Sequence, residues 1–139
     1  MADQVRAALI IEPTSNHLSS HYKALQAPEV GEVAILDTTG NILDTARAEI
    51  GDRVTATYTD TAKMFDEFKP DATMVTMEAW RMPQMIEASL DAGCHVWHEK
   101  PGFANLDDYR RLYRKAHAAG LNLTIAYCSR QRTIVREAR

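Results

Sequence analysis

Short apolar runs alternate along the whole chain with segments whose apolar residues recur every three to four positions, and this alternation constrains the fold most. The apolar runs are RAALII (6–11), EVAILD (32–37), VTATYT (54–59), ATMVTM (72–77), HVWHE (95–99) and LNLTIAY (121–127). Continuous apolar runs of this length read as strands covered on both faces. Between them lie helix-periodic segments. HLSSHYKALQA (17–27) carries Leu18, Tyr22 and Leu25 on one face, and NILDTARAEIG (41–51) carries Ile42, Ala46 and Ile50 and stops at Gly51. AKMFDEF (62–68) turns Met64, Phe65 and Phe68 inward. MPQMIEASLDAG (82–93) has Pro83 near its start and Gly93 at its end. NLDDYRRLYRKAHAAG (105–120) is capped by Asn105 and has Leu106, Tyr109, Leu112, Tyr113 and Ala116 as its apolar stripe. A further helix starts near Thr133.

Six strands alternating with five helices through short connections imply right-handed crossovers. The expected fold is therefore α/β, a doubly wound parallel sheet with helices on both faces. In such sheets ligands lie beyond the carboxyl ends of the strands, where the strand order reverses. The residues to inspect are those just after each strand.

Composition narrows the partners. The chain has 139 residues, is 45% hydrophobic and 25% charged, and has a net charge of −3. That fits one ordinary globular domain and gives no electrostatic case for nucleic acid or an anionic membrane. No run reaches the roughly 18 apolar residues of a membrane span. The start, MADQVRAALI, has neither a basic region nor a small-residue cleavage site, and Cys94 and Cys128 stand far apart, so a reduced, cytoplasmic protein is expected.

Asp37 ends the second strand, where dinucleotide folds accept hydrogen bonds from a ribose diol. An acid there favours NAD over NADP, because it repels a 2′-phosphate. The same residue is equally a turn-former before TTGN. Glu99-Lys100-Pro101 follows the fifth strand. Lys100 is either a cation that steadies a substrate oxygen or a solvated lysine at a strand end.

The stretch GCHVWHEKPGFANLDDYRRLYRKAHAAGLNLTIAYCSR resembles the second half of the nucleotide-binding domain of the Gfo/Idh/MocA oxidoreductases. The likeness lies in an aliphatic strand, a Glu-Lys-Pro signature, a cap, a helix, a Gly, and a strand ending in an aromatic and an Arg. Asp37, KPDATMVT and ASLDAGCHV fit the same order. The resemblance implies a Rossmann-like domain over residues 1–132, with 133–139 the start of a linker helix to a second domain. It implies NAD as cofactor and a sugar- or polyol-type hydroxyl or keto substrate. Lys100 would then be the catalytic residue near the nicotinamide, with Glu99, Tyr127 and Arg130 around the same mouth. A domain without its companion would expose the surface between them, so self-association or docking to that companion is expected.

The chain departs from the family in two places. Where the family has a Gly-x-Gly loop, this chain has IIEPTSNH (10–17), with Glu12 and Thr14 at the first two glycine positions. Glycines let the backbone approach a pyrophosphate, and a carboxylate pointing inward at Glu12 would repel one. Thr14, Ser15 and Asn16 are good helix caps, and His17 and His21 are further possible donors. The segment is thus either a modified cofactor loop or a capped turn with no ligand. After the fourth strand comes EAWRM (78–82). Trp80 there suits stacking on a nicotinamide or sugar and Arg81 suits a carboxylate or phosphate, and both suit an interface. No metal is expected, because Cys94 and His98 face one side of their strand while His95 and Glu99 face the other. The alternative function is a binding or interaction module that kept the fold and lost dinucleotide affinity.

Overall fold

The computed structural model describes residues 4–127 and Glu137. The expected alternation is present throughout. Strands β1 (Val5–Ile10), β2 (Val30–Leu36), β3 (Val54–Tyr58), β4 (Ala72–Val75), β5 (His95–His98) and β6 (Leu123–Ile125) alternate with helices α1 (Leu18–Leu25), α2 (Leu43–Ile50), α3 (Thr61–Phe68), α4 (Met82–Asp91) and α5 (Leu106–Ala118). All pairings are parallel, in the order β3-β2-β1-β4-β5-β6. The order reverses at β1, which has β2 on one side and β4 on the other. The crevice between the ends of β1 and β4 is therefore where a ligand belongs in this architecture. Residue 133 and the helix expected to begin there lie outside the described residues.

Strand β1 shows why the apolar runs are continuous. Ala7, Leu9 and Ile11 join a core with Tyr22, Leu25, Ala46 and Ile50 of α1 and α2. Ala8 and Ile10 join a second core on the other face, with Met64, Phe68, Met82, Ile86 and Leu112 of α3, α4 and α5. Consecutive residues thus point into different cores, and neither face has room for a polar side chain.

The caps follow local chemistry. The Asp60 side chain accepts from the Lys63 N–H at 2.8 Å, and Asn105 accepts from the Asp108 N–H at 2.8 Å, as expected for Asn105. The apolar stripe expected on α5 is corrected. Only Leu112 and Ala116 are buried, whereas Leu106, Tyr109 and Tyr113 are 56%, 39% and 52% exposed. The helix packs against α4 and the β5–β6 end of the sheet, which together cover only a narrow band of it. The outer rings instead contact one another, Phe103 meeting Tyr109 edge-on with centroids 5.4 Å apart and Tyr109 stacking on Tyr113 at 6.1 Å.

This division predicts a contrast within one helix. Leu112→Ala should cost about 2–5 kcal/mol, because it opens a cavity in a filled core. Tyr113→Ala should cost less than about 1 kcal/mol, as a surface change. Urea unfolding of the two variants checks this, and equal losses would contradict the assignment of α5's buried face.

Candidate functional site

The loop after β1 is stitched into a fixed turn. The Glu12 N–H donates to Ser15 Oγ and the Ser15 N–H donates to the Glu12 carbonyl, both at 2.9 Å. The Ser15 hydroxyl donates in turn to the Thr76 carbonyl just past β4, and the Thr76 hydroxyl donates to the Asn16 carbonyl at 3.3 Å. The loop is therefore tied across the crevice to the neighbouring strand. Glu12, a residue only 3% exposed, also turns its side chain that way. Its Oε1 accepts from the Glu78 N–H and from the Thr14 hydroxyl, and its Oε2 pairs with the Arg81 guanidinium. Glu12 thus points at the β4–α4 loop, where Arg81 offsets its charge.

Helix α1 begins differently from the sequence expectation. None of Thr14, Ser15 or Asn16 caps it; its N-cap is His17, which makes no side-chain cap bond and has φ of +59°. Counting the Gly-x-Gly-x-x-Gly spacing from Glu12 and Thr14 puts the third glycine position at His17. This position thus keeps a left-handed backbone that glycine adopts most easily. Among the described residues, the Leu18 and Ser19 amides that open the helix have no acceptor within the chain. Thr14, Asn16 and His17 are exposed beside them.

Asp37 ends β2 fully buried. Its carboxylate accepts from the Thr39 N–H at 2.9 Å, from the Thr39 hydroxyl at 2.8 Å and from the Ile42 N–H at 3.1 Å. Burial opposes ionisation, but the amides of Thr39, Ile42 and Asn41 together with the Thr39 hydroxyl outweigh it and hold the carboxyl below its usual range. Asp37 is therefore a fixed negative charge engaged by its own turn.

At the end of β5 the sequence expectation separates into two roles. Lys100, two residues past β5, is exposed. Glu99 is 3% exposed and faces inward. Its Oε1 accepts from the Lys100 N–H at 2.9 Å, and its Oε2 lies 3.1 Å from His21 Nε2. Burial lowers the His21 pKa, against the pull of the Glu99 charge. The His21 ring meets the Trp97 ring edge-on, with centroids 5.0 Å apart. His21 is thus a buried strut between α1 and the Lys100 turn. The donor expected at the pyrophosphate is corrected accordingly.

His98 completes the support. Its Nδ1 lies 3.0 Å from the Glu99 carbonyl, which can only accept, so Nδ1 carries the proton. Burial lowers its pKa as well. The Lys100–Pro101 peptide is cis, and Gly102 follows with φ of +79° directly against the His98 ring. Cys94 is a buried core thiol donating to the Pro70 carbonyl, and burial pushes its pKa up to about 11, which rules it out as a ready nucleophile. Among the described residues no group of three or more His, Cys, Asp or Glu could hold a metal ion, and no helix is long and apolar enough to cross a membrane.

The structure brings Glu12, Thr14, Ser15 and Asn16 together with Trp80 and Arg81 over the β1/β4 crevice. Trp80 is 68% exposed, with the Arg81 guanidinium 5.8 Å from its ring centre. Tyr127 is exposed beyond β6, and Arg130 lies outside the described residues. Sequence reasoning missed the Glu12–Arg81 and His21–Glu99 pairs. The first had a signal, since opposite charges follow strands that are neighbours in this strand order. The second had none, because nothing local tells a buried histidine which strand end it will meet.

A family model described as an oxidoreductase family with an NAD-binding Rossmann fold matches residues 14–127. No curated protein matches the chain. Several solved structures share the fold. Scyllo-inositol dehydrogenase from Lactobacillus casei, determined with NAD(H) and scyllo-inositol, superposes with a TM-score of 0.82 at 20% identity, covering 98% of this chain and 40% of that one. The WlbA dehydrogenase from Bordetella pertussis, determined with NADH and UDP-GlcNAcA, gives 0.82 at 23% identity, covering 96% and 41%. A UDP-N-acetylglucosamine 3-dehydrogenase from Acidithiobacillus ferrooxidans gives 0.79 at 21% identity, covering 98% and 42%. The chain spans about two-fifths of the length of these structures.

The support behind Lys100 predicts a sensitive glycine. A Cβ at Gly102 would lie 2.1 Å from His98 Cε1 and 2.3 Å from its Nδ1, at a φ that side chains avoid. Gly102→Ala should therefore cost at least about 1 kcal/mol. Denaturant unfolding checks it, and a neutral result would mean that the turn is not held against His98.

Proposed function

This chain belongs to the Gfo/Idh/MocA oxidoreductase family. On that premise we propose that it is the cofactor-binding half of an NAD-dependent oxidoreductase acting on a hydroxyl or keto group of a sugar or polyol. The observation that carries the reading is one sheet edge. There the β1–α1 turn with free helix amides, the ionised Asp37 and the exposed Lys100 stand after β1, β2 and β5 respectively.

The residues suit a dinucleotide. The Leu18 and Ser19 amides flank the place for phosphates at the first turn of α1, while the hydroxyls of Thr14 and Ser15 are engaged with Glu12 and the Thr76 carbonyl and shape the turn beside it. Glu12 is turned away and offset by Arg81, so its charge does not close that place. Asp37 acts through its charge, which disfavours a 2′-phosphate and makes NAD the fitting cofactor rather than NADP. Bound NAD supplies hydride exchange with a substrate carbon.

Lys100 is the catalytic residue of this reading. Its ammonium steadies the substrate oxygen and stabilises alkoxide character there. Glu99 and His21 hold the Lys100 turn against α1, which keeps the cation in register with the cofactor end of the crevice. Trp80 and Tyr127, which follow the two strands that flank β5, offer exposed rings for a nicotinamide or sugar. The polyol class of substrate rests on the fold shared with dehydrogenases determined with scyllo-inositol and UDP-GlcNAcA. The remaining substrate contacts are assigned to a further domain.

The buried seat of Glu12 at a glycine position favours the second reading, a domain that keeps the fold without dinucleotide affinity. A titration of NADH against NADPH, following energy transfer from Trp80 and Trp97, separates the two. Saturable binding of NADH with NADPH at least about tenfold weaker is expected from a repelled 2′-phosphate. Binding of neither cofactor overturns the first reading. By the same reading, a second copy of the chain or a further domain covers the half-buried Trp97 and exposed His95 on the outer face of β5. Sedimentation at rising concentration tests this, and a strict monomer would refute self-association.

A further inference from the structure

The loop holds a side-chain pair whose position across the crevice is not needed for the turn itself. Ser15, Thr76 and Asn16 already tie β1 to β4. The Glu12–Arg81 pair spans the same gap a second time. Its members differ in access, since the Glu12 side chain is 4% exposed and the Arg81 side chain 35%. The carboxylate is buried, whereas the guanidinium is partly exposed to solvent.

A pyrophosphate in this architecture lies between the β1–α1 turn and the neighbouring loop after β4. Glycines at the first two loop positions would let backbone amides close on it, but Glu12 and Thr14 each carry a Cβ that keeps the backbone back. The lost amide contacts need a replacement donor. A guanidinium is the best side chain for this, because its planar fork matches two phosphate oxygens. Arg81 is the guanidinium that the fold delivers to this gap.

We propose that Arg81 is the diphosphate ligand of this domain and that Glu12 is its resting partner, exchanged for phosphate when a dinucleotide enters. The exchange strips Glu12 Oε2 of its partner but leaves Oε1 held by its neighbours, so the carboxylate loses its countercharge without losing all its donors. When Arg81 leaves, Glu12 Oε1 still accepts from the Glu78 N–H and the Thr14 hydroxyl. Glu12 therefore competes with the ligand for Arg81 and weakens binding without blocking it. The exposed Trp80, whose ring faces the guanidinium, moves with Arg81 or loses that contact.

This inference rests on the reading of the domain as a dinucleotide binder, and the experiment separates the two. NADH, ADP and adenosine are titrated into the wild-type chain, Glu12→Gln, Glu12→Gln/Arg81→Gln and Glu12→Gln/Arg81→Lys, each first checked for a cooperative thermal transition by circular dichroism. The double variants carry no unpaired buried carboxylate, so they are expected to fold. Glu12→Gln should tighten NADH and ADP by about tenfold and leave adenosine unchanged. Adding Arg81→Gln should then weaken NADH and ADP by at least about tenfold, again sparing adenosine, with Arg81→Lys in between because it keeps the charge and loses the fork. If Arg81→Gln in the Glu12→Gln background binds NADH and ADP as tightly as Glu12→Gln alone, Arg81 is not the ligand, while the domain remains a dinucleotide binder. If no variant binds NADH, the dinucleotide reading itself falls, and this assignment with it.

Discussion

Everything at the candidate site follows from β1 being covered on both faces and paired on both edges. The chain leaves β1 through α1 to build β2 and β3 on one side, and later returns to build β4 to β6 on the other. Right-handed crossovers in opposite directions put α1 and α4 on opposite faces, as the two separate cores record. The loops after β1 and β4 must then part company at the sheet edge. The gap between them, with Glu12 on one lip and Arg81 on the other, is a consequence of topology before it is a property of any side chain.

That edge is organised by carboxylates facing inward. Glu12 after β1, Asp37 after β2 and Glu99 after β5 are each 3% exposed or less. A buried carboxylate is costly unless donors surround it, and each of these three accepts a backbone N–H from its own or a neighbouring loop: Glu78, Thr39 with Ile42, and Lys100. The acids therefore fasten loops and are not offered to solvent. The side chains that remain reachable include Lys100, Arg81, Trp80 and Tyr127, together with Thr14, Asn16, His17 and one acid, Glu78. On the proposed reading, the two cations Lys100 and Arg81 on this rim would meet an anionic ligand and a substrate oxygen, although the chain as a whole carries a net charge of −3.

The fold was legible because its strongest signals are local. A strand buried on two faces is a continuous apolar run, and a helix start or stop is written in residues such as Asn105 and Gly51. Legibility failed where local pattern leaves the environment open. The α5 stripe contains five apolar residues, but periodicity cannot say that the sheet edge is wide enough to cover only Leu112 and Ala116. Asp37 shows the same limit. Its spacing fits both a ribose acceptor and a turn-former, and only the placement of Thr39 and Ile42 shows how fully the turn engages it. His21 and Glu99 are 78 positions apart in a chain of 139, and no sequence period relates them.

The glycine loop shows why a missing motif and a retained fold are compatible. The motif combines two requirements, a backbone path and a small side-chain volume. The path survives here: His17 holds the left-handed φ at the third position, Ser15 closes the turn onto Glu12, and α1 starts with free amides. Only the volume condition is given up, at Glu12, Thr14 and His17. A loop that keeps its path still aims the helix N-terminus at the crevice, so the electrostatic preference for an anion persists without the glycines. On the proposed reading, giving up volume would hold the anion away from the backbone, toward the reach of a long side chain, which is the place of Arg81 on the facing lip.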